Sequence, residues 1–188
     1  MILEREINLI KGPNLREAVR KCIKDNEKKL KILPASTSGK YHPPDERGPG
    51  GEVRHIRKVI WFIEHSGREF PLTEEELDIL LAAGILHDIS LVVITEIDQN
   101  GRVILDRARY RDHPKISAQI TNKYLTKAGF EPTSPTVIKI LDLIRSHMSR
   151  WHPNCKQPYD KLEFFLCMAD YFCSLEEVEI HIDKESKK

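Results

Sequence analysis

The chain has 188 residues, with 30 Lys and Arg against 29 Asp and Glu and a formal net charge of +1. This near-balance argues against a polybasic surface for extended duplex nucleic acid or for an anionic membrane. The length is typical of one domain, so we predict a single domain over residues 1–188. Acidic residues interrupt the apolar N-terminus, and the longest uncharged apolar run, residues 79–87, is much shorter than the roughly 20 residues of a membrane span. We therefore expect a cytoplasmic globular protein that does not bind membranes.

The first predicted helix begins at Asn14 and extends to about Leu30. Asn14 follows a proline and is a residue type that caps helices, and apolar residues recur on one side of the segment. Residues 11–31 contain eight basic and three acidic residues, which we interpret as a solvated outer face. The following residues, 32–51, are rich in Pro and Gly and predict a loop of about twenty residues, a length that is often functional.

Two further helices are predicted after this loop. Apolar residues at helical spacing predict the first of them over residues 51–64. Thr73 and Glu76 form a capping-box pattern, which predicts the start of the second. This second helix continues through an apolar segment to His87.

The spacing of apolar residues is no longer helical after His87. Two runs of β-branched residues flank Asn100-Gly101, a dipeptide typical of tight β-hairpins. Three more helical segments follow, over residues 114–128, 135–148 and 159–179. The predicted fold class is therefore all-α, a bundle of about six helices with one small inserted β-hairpin.

Several ionisable residues lie within apolar faces of these helices. His55 precedes Val59 by one turn, and His147 follows Leu143 by one turn. An unpaired buried carboxylate costs several kcal/mol, and the neighbours on these faces are aliphatic. A divalent metal ion would compensate the desolvation of several ligands at once, and helical bundles commonly hold such ions between facing helices. We therefore predict a metal site from the residues that share this pattern, which are His55, His87, Asp88, His147 and Asp170.

The identity of the metal is left open by these residues. His87 and Asp88 can both reach an ion at the C-terminal end of their helix, and the two oxygens of Asp88 can bridge two ions. A mixed set of His and carboxylate ligands suits Mn, Fe, Co, Ni or Zn, and a carboxylate-weighted set suits Mg. The four cysteines are scattered and form no CxxC pair, so a structural zinc site that uses His152 and Cys155 is the weaker alternative.

In chain order, the candidate ligands stand in the segments RHIRKV, AAGILHDIS, RDHPKISAQIT, IRSHMSRWH and CMADYFCS. This ordered series of His, His-Asp, His, His and Asp on helices resembles the HD superfamily of metal-dependent phosphohydrolases, which is named for the His-Asp pair. The resemblance covers roughly residues 40–175, and we expect the basic helix over residues 14–31 to pack on this core.

The resemblance implies a centre for one or two divalent metal ions. The ligands that it implies are His55, His87, Asp88 and Asp170 for a first ion, and His113 and His147 for a second, with Asp88 as the bridge. It also implies hydrolysis at phosphorus by a metal-activated water, with His87 and Asp88 as the catalytic pair. Many active members continue the pair as His-Asp-x-Gly-Lys, whereas here Ile89, Ser90 and Leu91 follow. The phosphate contact of that Lys is therefore missing, and the substrate class is left open.

The flanking segments supply candidates for substrate contacts. Gly50 and Gly51 precede the His55 helix and can seat a phosphate at its N-terminus. Trp151 can stack on a base or cover the apolar core. The predicted substrate-binding residues are His42, Arg54, Arg150 and His152. Similar loops occur in HD members related to 3′→5′ exoribonucleases, which implies a small phosphorylated substrate, either a nucleotide or a short oligonucleotide.

Two other classes of function stay open at this stage. A regulatory module could keep the metal, lose catalysis and bind a nucleotide in the same cavity, and the missing Lys after the His-Asp pair favours this alternative. A structural, metal-stabilised scaffold is the weaker possibility, because structural metal sites are usually closed and need fewer ligands.

Overall fold

The computed structural model of the chain describes residues 1–36, 41–67, 69–149, 155–178 and 180. This part of the chain is mostly helical and includes one two-stranded antiparallel sheet, which confirms the predicted all-α class with an inserted hairpin. In chain order the elements are α1 (Glu4–Asn8), α2 (Pro13–Leu30), α3 (Gly51–Ser66), α4 (Glu74–Leu86), α5 (Leu91–Ile94), β1 (Thr95–Ile97), β2 (Val103–Leu105), α6 (Arg107–Tyr110), α7 (His113–Lys127), α8 (Pro135–Ser146) and α9 (Lys161–Cys173). A short 3₁₀ turn, Pro44–Glu46, lies between α2 and α3.

Helix α4 is the central element of the bundle. It packs against α2, α3, α8 and α9, and every residue from Asp78 to Leu86 is buried. Gly84 permits the close approach of α3, because a Cβ at this position would lie 2.9 Å from the Cδ1 of Ile63. The segment Glu74–Ile94 is apolar and long enough to cross a membrane by length and composition alone, but 83% of its most apolar window is buried within the protein. This burial is the environment expected of a core helix.

The start of α2 is fixed by a contact from α4. Gly12 is the N-cap residue and Pro13 occupies the first turn. The carboxylate of Asp78 accepts hydrogen bonds from the backbone N–H groups of Lys11 and Gly12, at 2.8 and 2.7 Å. The prediction that Asn14 caps this helix is therefore wrong. The N-cap residue is Gly12, and the carboxylate of Asp78 binds the N–H groups just before the helix.

The capping box and the hairpin are confirmed. The Thr73 side chain accepts from the N–H of Glu76, and the Glu76 side chain accepts from the N–H of Thr73. Strands β1 and β2 pair with Thr95 opposite Leu105, and Gly101 in the connecting turn has a φ of +78°. Glycine adopts such a φ without the steric cost that a side chain brings.

Helix α9 is shorter than predicted, because it ends at Cys173 and not near residue 179. The carbonyl of Ser174 accepts a hydrogen bond from the backbone N–H of His42, 2.9 Å away in the loop before α3. Glu176 pairs with Arg47 of the same loop at 2.9 Å. These contacts draw the chain out of the helical path, and the acidic residues that follow are unfavourable at a helix C-terminus.

Candidate metal centre

Four histidines and two aspartates from five helices meet in the interior of the bundle. His55 lies in α3, His113 begins α7 and Asp170 lies near the end of α9. His87 and His147 directly follow α4 and α8 as their C-terminal cap residues. The four histidine side chains are essentially inaccessible to solvent, whereas the side chain of Asp88 retains 18% of its exposure. The helices that the apolar periodicity predicts therefore bring all six predicted ligands together.

Three of these residues form a first donor group. His55, His87 and Asp170 offer ligand atoms that lie within 4.8 Å of one another, and all three residues are buried. The Oδ1 atom of Asp170 is 3.0 Å from the Nε2 of His55 and 3.6 Å from the Nε2 of His87. One divalent ion could be held by these three atoms.

Asp88, His113 and His147 form a second donor group. The Oδ1 atom of Asp88 lies 3.3 Å from the Nε2 of His113 and 3.4 Å from the Nε2 of His147. Its other oxygen, Oδ2, lies 3.7 Å from the Nε2 of His87 in the first group. The two oxygens of Asp88 thus face the two groups, which is the position expected of a bridging ligand.

Backbone carbonyls orient three of the histidine rings. In each case we assign the Nδ1–H as the donor to the carbonyl three residues earlier, at 2.7–2.9 Å, in the pairs His87 with Gly84, His113 with Tyr110, and His147 with Ile144. This bond fixes the tautomer and directs the Nε2 lone pair into the centre. The Nε2 atoms of His113 and His147 consequently face each other as two acceptors, 3.2 Å apart. Such a contact is favourable when a metal ion binds both nitrogens or when one of the two imidazoles is protonated.

Two of the buried ligand atoms that face the centre have no hydrogen-bond partner among the residues that the structure describes. They are the Nε2 of His87 and the Oδ1 of Asp88. Buried polar atoms in proteins are nearly always paired, and an unpaired one indicates a missing water, ion or ligand. The donor chemistry and these unpaired atoms therefore fit a divalent metal ion.

The electrostatics of the centre favour charged carboxylates. Burial raises the pKa of Asp88, but the neighbouring His87 and His113 outweigh it and hold this pKa well below its usual range. Burial also raises the pKa of Asp170, but the hydrogen bond from His55 and the charge of His87 outweigh it and lower this pKa to about 2. Burial lowers the pKa of His87, so its imidazole is neutral and available as a ligand.

Glu46, which was not among the predicted site residues, lies in the 3₁₀ turn and is fully buried. Its Oε2 atom is 2.9 Å from the Nδ1 of His42 and 3.5 Å from the Nδ1 of His55, and its Oε1 atom is 2.9 Å from the ammonium of Lys58. The three residues His42, Glu46 and His55 also satisfy the distance limit for a metal site. Because the ammonium of Lys58 already neutralises Glu46, this carboxylate is better suited to orient His55 than to bind an ion.

Of the predicted substrate-binding residues, the structure places His42 next to the centre. Its ring packs edge-on against that of His55, with 4.7 Å between the centroids, and its φ is +72°. The guanidinium of Arg54 donates to the carbonyls of Asp45 and Pro49 and so braces the loop. Arg150 and His152, together with Trp151, lie outside the described residues.

The predicted phosphate seat at the start of α3 is wrong. The N–H groups of Gly51 and Glu52 already donate to the carbonyls of Gly48 and Leu33. Gly51 serves close packing, because a Cβ at this position would lie 1.8 Å from the carbonyl oxygen of Glu46. This contact holds the 3₁₀ turn, and with it Glu46, against the helix that carries His55.

The alternative of a structural zinc site rests on Cys155 and on His152, and His152 lies outside the described residues. Within the described part of the chain, Cys22, Cys155, Cys167 and Cys173 are free thiols, and none of them belongs to a group of residues that could hold a metal ion. The candidate metal groups contain only imidazoles and carboxylates.

A helical bundle whose histidines and aspartates meet around a His-Asp pair is the arrangement expected of the HD superfamily of metal-dependent phosphohydrolases. Residues 53–175 match the HD domain family, and the chain belongs to this family. The match begins slightly later than the resemblance over residues 40–175 and covers more than half of the 188 residues. No curated protein and no solved structure matches the chain significantly.

Proposed function

We propose that this protein is a metal-dependent phosphohydrolase that cleaves a phosphomonoester or phosphodiester bond of a nucleotide-like substrate. The observation that carries the proposal is the position of Asp88, whose two oxygens face two separate donor groups. A structural metal site would need only one closed group of ligands. Two adjacent groups in a bundle core support a hydrolytic centre instead.

The six predicted ligands divide between the two groups. His55, His87 and Asp170 would hold one divalent ion, and Asp88, His113 and His147 a second. When bound, such ions lower the pKa of water and polarise the phosphoryl oxygens. The presence of four imidazoles favours Mn, Fe, Co, Ni or Zn over Mg, because Mg prefers oxygen ligands.

The chain's own residues would orient the reactants. Carbonyls fix the rings of His87, His113 and His147, so that these ligands need no rearrangement when the centre is loaded. Asp88 lies between the two donor groups, and one of its oxygens faces His87. His87 and Asp88 are therefore the proposed catalytic pair. His42 is fixed beside His55 and is the best-placed side chain for a phosphate contact. Arg54, Arg150 and His152 stay predicted contacts.

A regulatory function is the second candidate, and the position after the His-Asp pair favours it. Leu91 stands where many active members have Lys, and it is buried at the start of α5. No cation from this position can therefore contact the substrate phosphate. In this alternative the centre keeps its metal and binds a nucleotide without rapid turnover.

Elemental analysis together with a substrate screen tests the proposal. The purified protein should contain divalent transition metal, or take it up on addition. We expect it to hydrolyse at least one substrate among mono-, di- and cyclic nucleotides and short oligonucleotides, and a chelator should abolish the activity. Less than about half an equivalent of metal, with none taken up on addition, would contradict the proposal. Metal uptake without any turnover, combined with thermal stabilisation by a nucleotide, would favour the regulatory alternative.

A further inference from the structure

Besides Glu46, a second acidic residue near the metal centre was not predicted from the sequence, and it lies in helix α3. Glu52 lies three residues before His55, so both side chains are on the same face of the helix. Glu52 is fully buried, with a relative exposure of 0%. Neither of its carboxylate oxygens has a hydrogen-bond partner among the described residues. It is therefore a buried carboxylate whose two oxygens are both unpaired.

The charges around Glu52 are mainly negative. Burial and the carboxylate of Asp88 raise its pKa well above the usual range, the carboxylates of Asp170 and Glu46 add to this rise, and His55 partly opposes it. Lys58, the buried ammonium on the same helix, is bonded to Glu46 and Asp45 instead. Glu52 thus lies within the electrostatic range of both donor groups of the metal centre, and no described Lys or Arg pairs with it.

Packing within the protein gives no reason for a carboxylate at this position. An acidic residue in the first turn of a helix is favourable, but this effect does not require burial and is too weak to offset the loss of hydration. An apolar side chain of similar volume would remove the unpaired oxygens at no cost in hydrogen bonds. A group that binds here and brings positive charge would explain the residue.

We propose that Glu52 is a third carboxylate of the metal centre. It would balance the charge of the bound cations and accept hydrogen bonds from water or from a substrate hydroxyl within the site. Two divalent ions bring four positive charges, of which Asp88 and Asp170 neutralise two. Glu52 stands outside the donor groups whose atoms lie within 4.8 Å of one another, so it acts from outside the ligand shell. This inference rests on the metal centre of the proposed function.

Metal-dependent thermal stability distinguishes this role from a structural one. Wild type, Glu52→Gln and Glu52→Met are compared after chelation and during titration with Mn²⁺, with bound metal measured by elemental analysis. After chelation, Glu52→Met should melt about 2–4 °C above wild type, because the unpaired buried oxygens have been removed, whereas Glu52→Gln should melt near wild type, because its amide is unpaired as well. Both variants should bind metal more weakly. Their affinity for Mn²⁺ should fall about 10- to 100-fold, the range typical of residues that support metal ligands.

Glu163→Gln is the matched control. Glu163 is equally buried, but its oxygens are bonded to Lys139, Lys156 and the backbone of Tyr159. This control should lower the melting temperature of the chelated protein and leave the Mn²⁺ affinity unchanged. The Glu52 and Glu163 variants should therefore differ in both measurements, because only the Glu52 variants lose Mn²⁺ affinity and only the Glu163 variant loses stability after chelation.

The outcomes separate this inference from the proposed function. If wild type binds no divalent metal, the proposed function fails. If wild type binds Mn²⁺ and both Glu52 variants bind it equally well, the metal centre stands and the role of Glu52 is refuted. Melting temperatures below wild type after chelation, or loss of folded protein in both variants, would also overturn the inference, because Glu52 would then be a structural residue.

Discussion

Two buried acidic clusters of this protein are neutralised in different ways. One cluster lies at the start of α9 and centres on Glu163. Its Oε1 atom is 3.2 Å from the ammonium of Lys156 and 3.5 Å from that of Lys139, and its Oε2 atom accepts from the N–H of Tyr159. Asp160, the N-cap residue of α9, also pairs with Lys139. Every oxygen of Glu163 therefore has a partner from the chain itself.

The second cluster is the metal centre, and its carboxylates have no such partners. Among the described residues, no Lys or Arg pairs with Asp88, Asp170 or Glu52, and the neighbours of the two aspartates are imidazoles. The unpaired atoms of His87 and Asp88 belong to this cluster, and Glu52, whose oxygens are also unpaired, lies one turn before His55 on the same face of α3. Glu163 and Glu52 are thus both fully buried carboxylates, and the source of positive charge differs between the two clusters. A cluster that the chain neutralises supports the fold, whereas one that it leaves unpaired indicates a ligand.

The largest expected effect comes from replacing one carboxylate in each cluster by its amide. Asp88→Asn should lower metal-dependent hydrolysis by at least about 10³-fold, because it removes the charge that both donor groups share. Glu163→Gln should leave hydrolysis unchanged and lower the free energy of unfolding by about 1–3 kcal/mol, because two lysines lose their charged partner. Steady-state kinetics and urea denaturation measure the two effects.

The proposed difference between the two clusters would be contradicted by either of two results. Full hydrolysis by Asp88→Asn would show that Asp88 is not part of the reaction centre. Loss of hydrolysis in folded Glu163→Gln would place the α9 cluster in the functional site as well. Circular dichroism at the assay temperature provides the check that both variants are folded.

Apolar periodicity was sufficient to predict most of the metal centre. His55 and His147 stand within apolar faces of long helices, and their burial follows from the same pattern. Glu52 carries the same signal, because Ile56 and Val59 follow it at helical spacing on the buried face. It was missed because an acidic residue in the first turn of a helix already has an ordinary explanation in the helix dipole.

Other features could not be read from periodicity. Glu46 stands in a Pro-rich and Gly-rich loop, and its contacts with His42 and His55 exist only because the 3₁₀ turn packs on Gly51. Helices α1, α5 and α6 have five residues or fewer, which is too short for a helical period to show. The end of α9 depends on contacts with the loop before α3, and such tertiary contacts have no local signature.

A smaller effect is expected from Glu46→Gln, which tests how the loop supports the metal centre. The amide keeps the shape of Glu46 but removes the charge that faces the Nδ1 of His55 and the ammonium of Lys58. We expect Mn²⁺ affinity to fall about 10- to 100-fold, as is typical when the partner of a ligating histidine is lost. Isothermal titration calorimetry on the chelated protein measures this change.

Lys58→Met separates the two partners of Glu46. This variant removes the ammonium, which is 2.9 Å from Glu46, and leaves the carboxylate facing His55. If orientation of His55 is the role of Glu46, Lys58→Met should retain more Mn²⁺ affinity than Glu46→Gln. Equal losses in the two variants would indicate that the whole loop has moved, and a normal affinity in Glu46→Gln would refute the role.

The last expected effect is the pH dependence of metal binding. Burial lowers the pKa of His55 and of His147, but Asp170 and Glu46 around His55, and Asp88 beside His147, outweigh it and raise both pKa values above 6.5. A metal ligand must be a neutral imidazole, so binding releases the protons that these histidines hold. We expect Mn²⁺ affinity to decrease about tenfold per pH unit for each proton released, as the pH falls through the raised pKa values.

The chelated protein should show the opposite trend. Because the pKa values of His55 and His147 are raised by folding, their ion pairs with the carboxylates contribute fully below pH 6.5 and are lost as the pH rises through the raised values. The gain in melting temperature on adding Mn²⁺ should therefore grow from pH 6 to pH 8, and Glu163→Gln should show the same growth. A gain that is constant over this range would mean that the two imidazoles are already neutral in the chelated protein and form no ion pairs with Asp170 and Asp88.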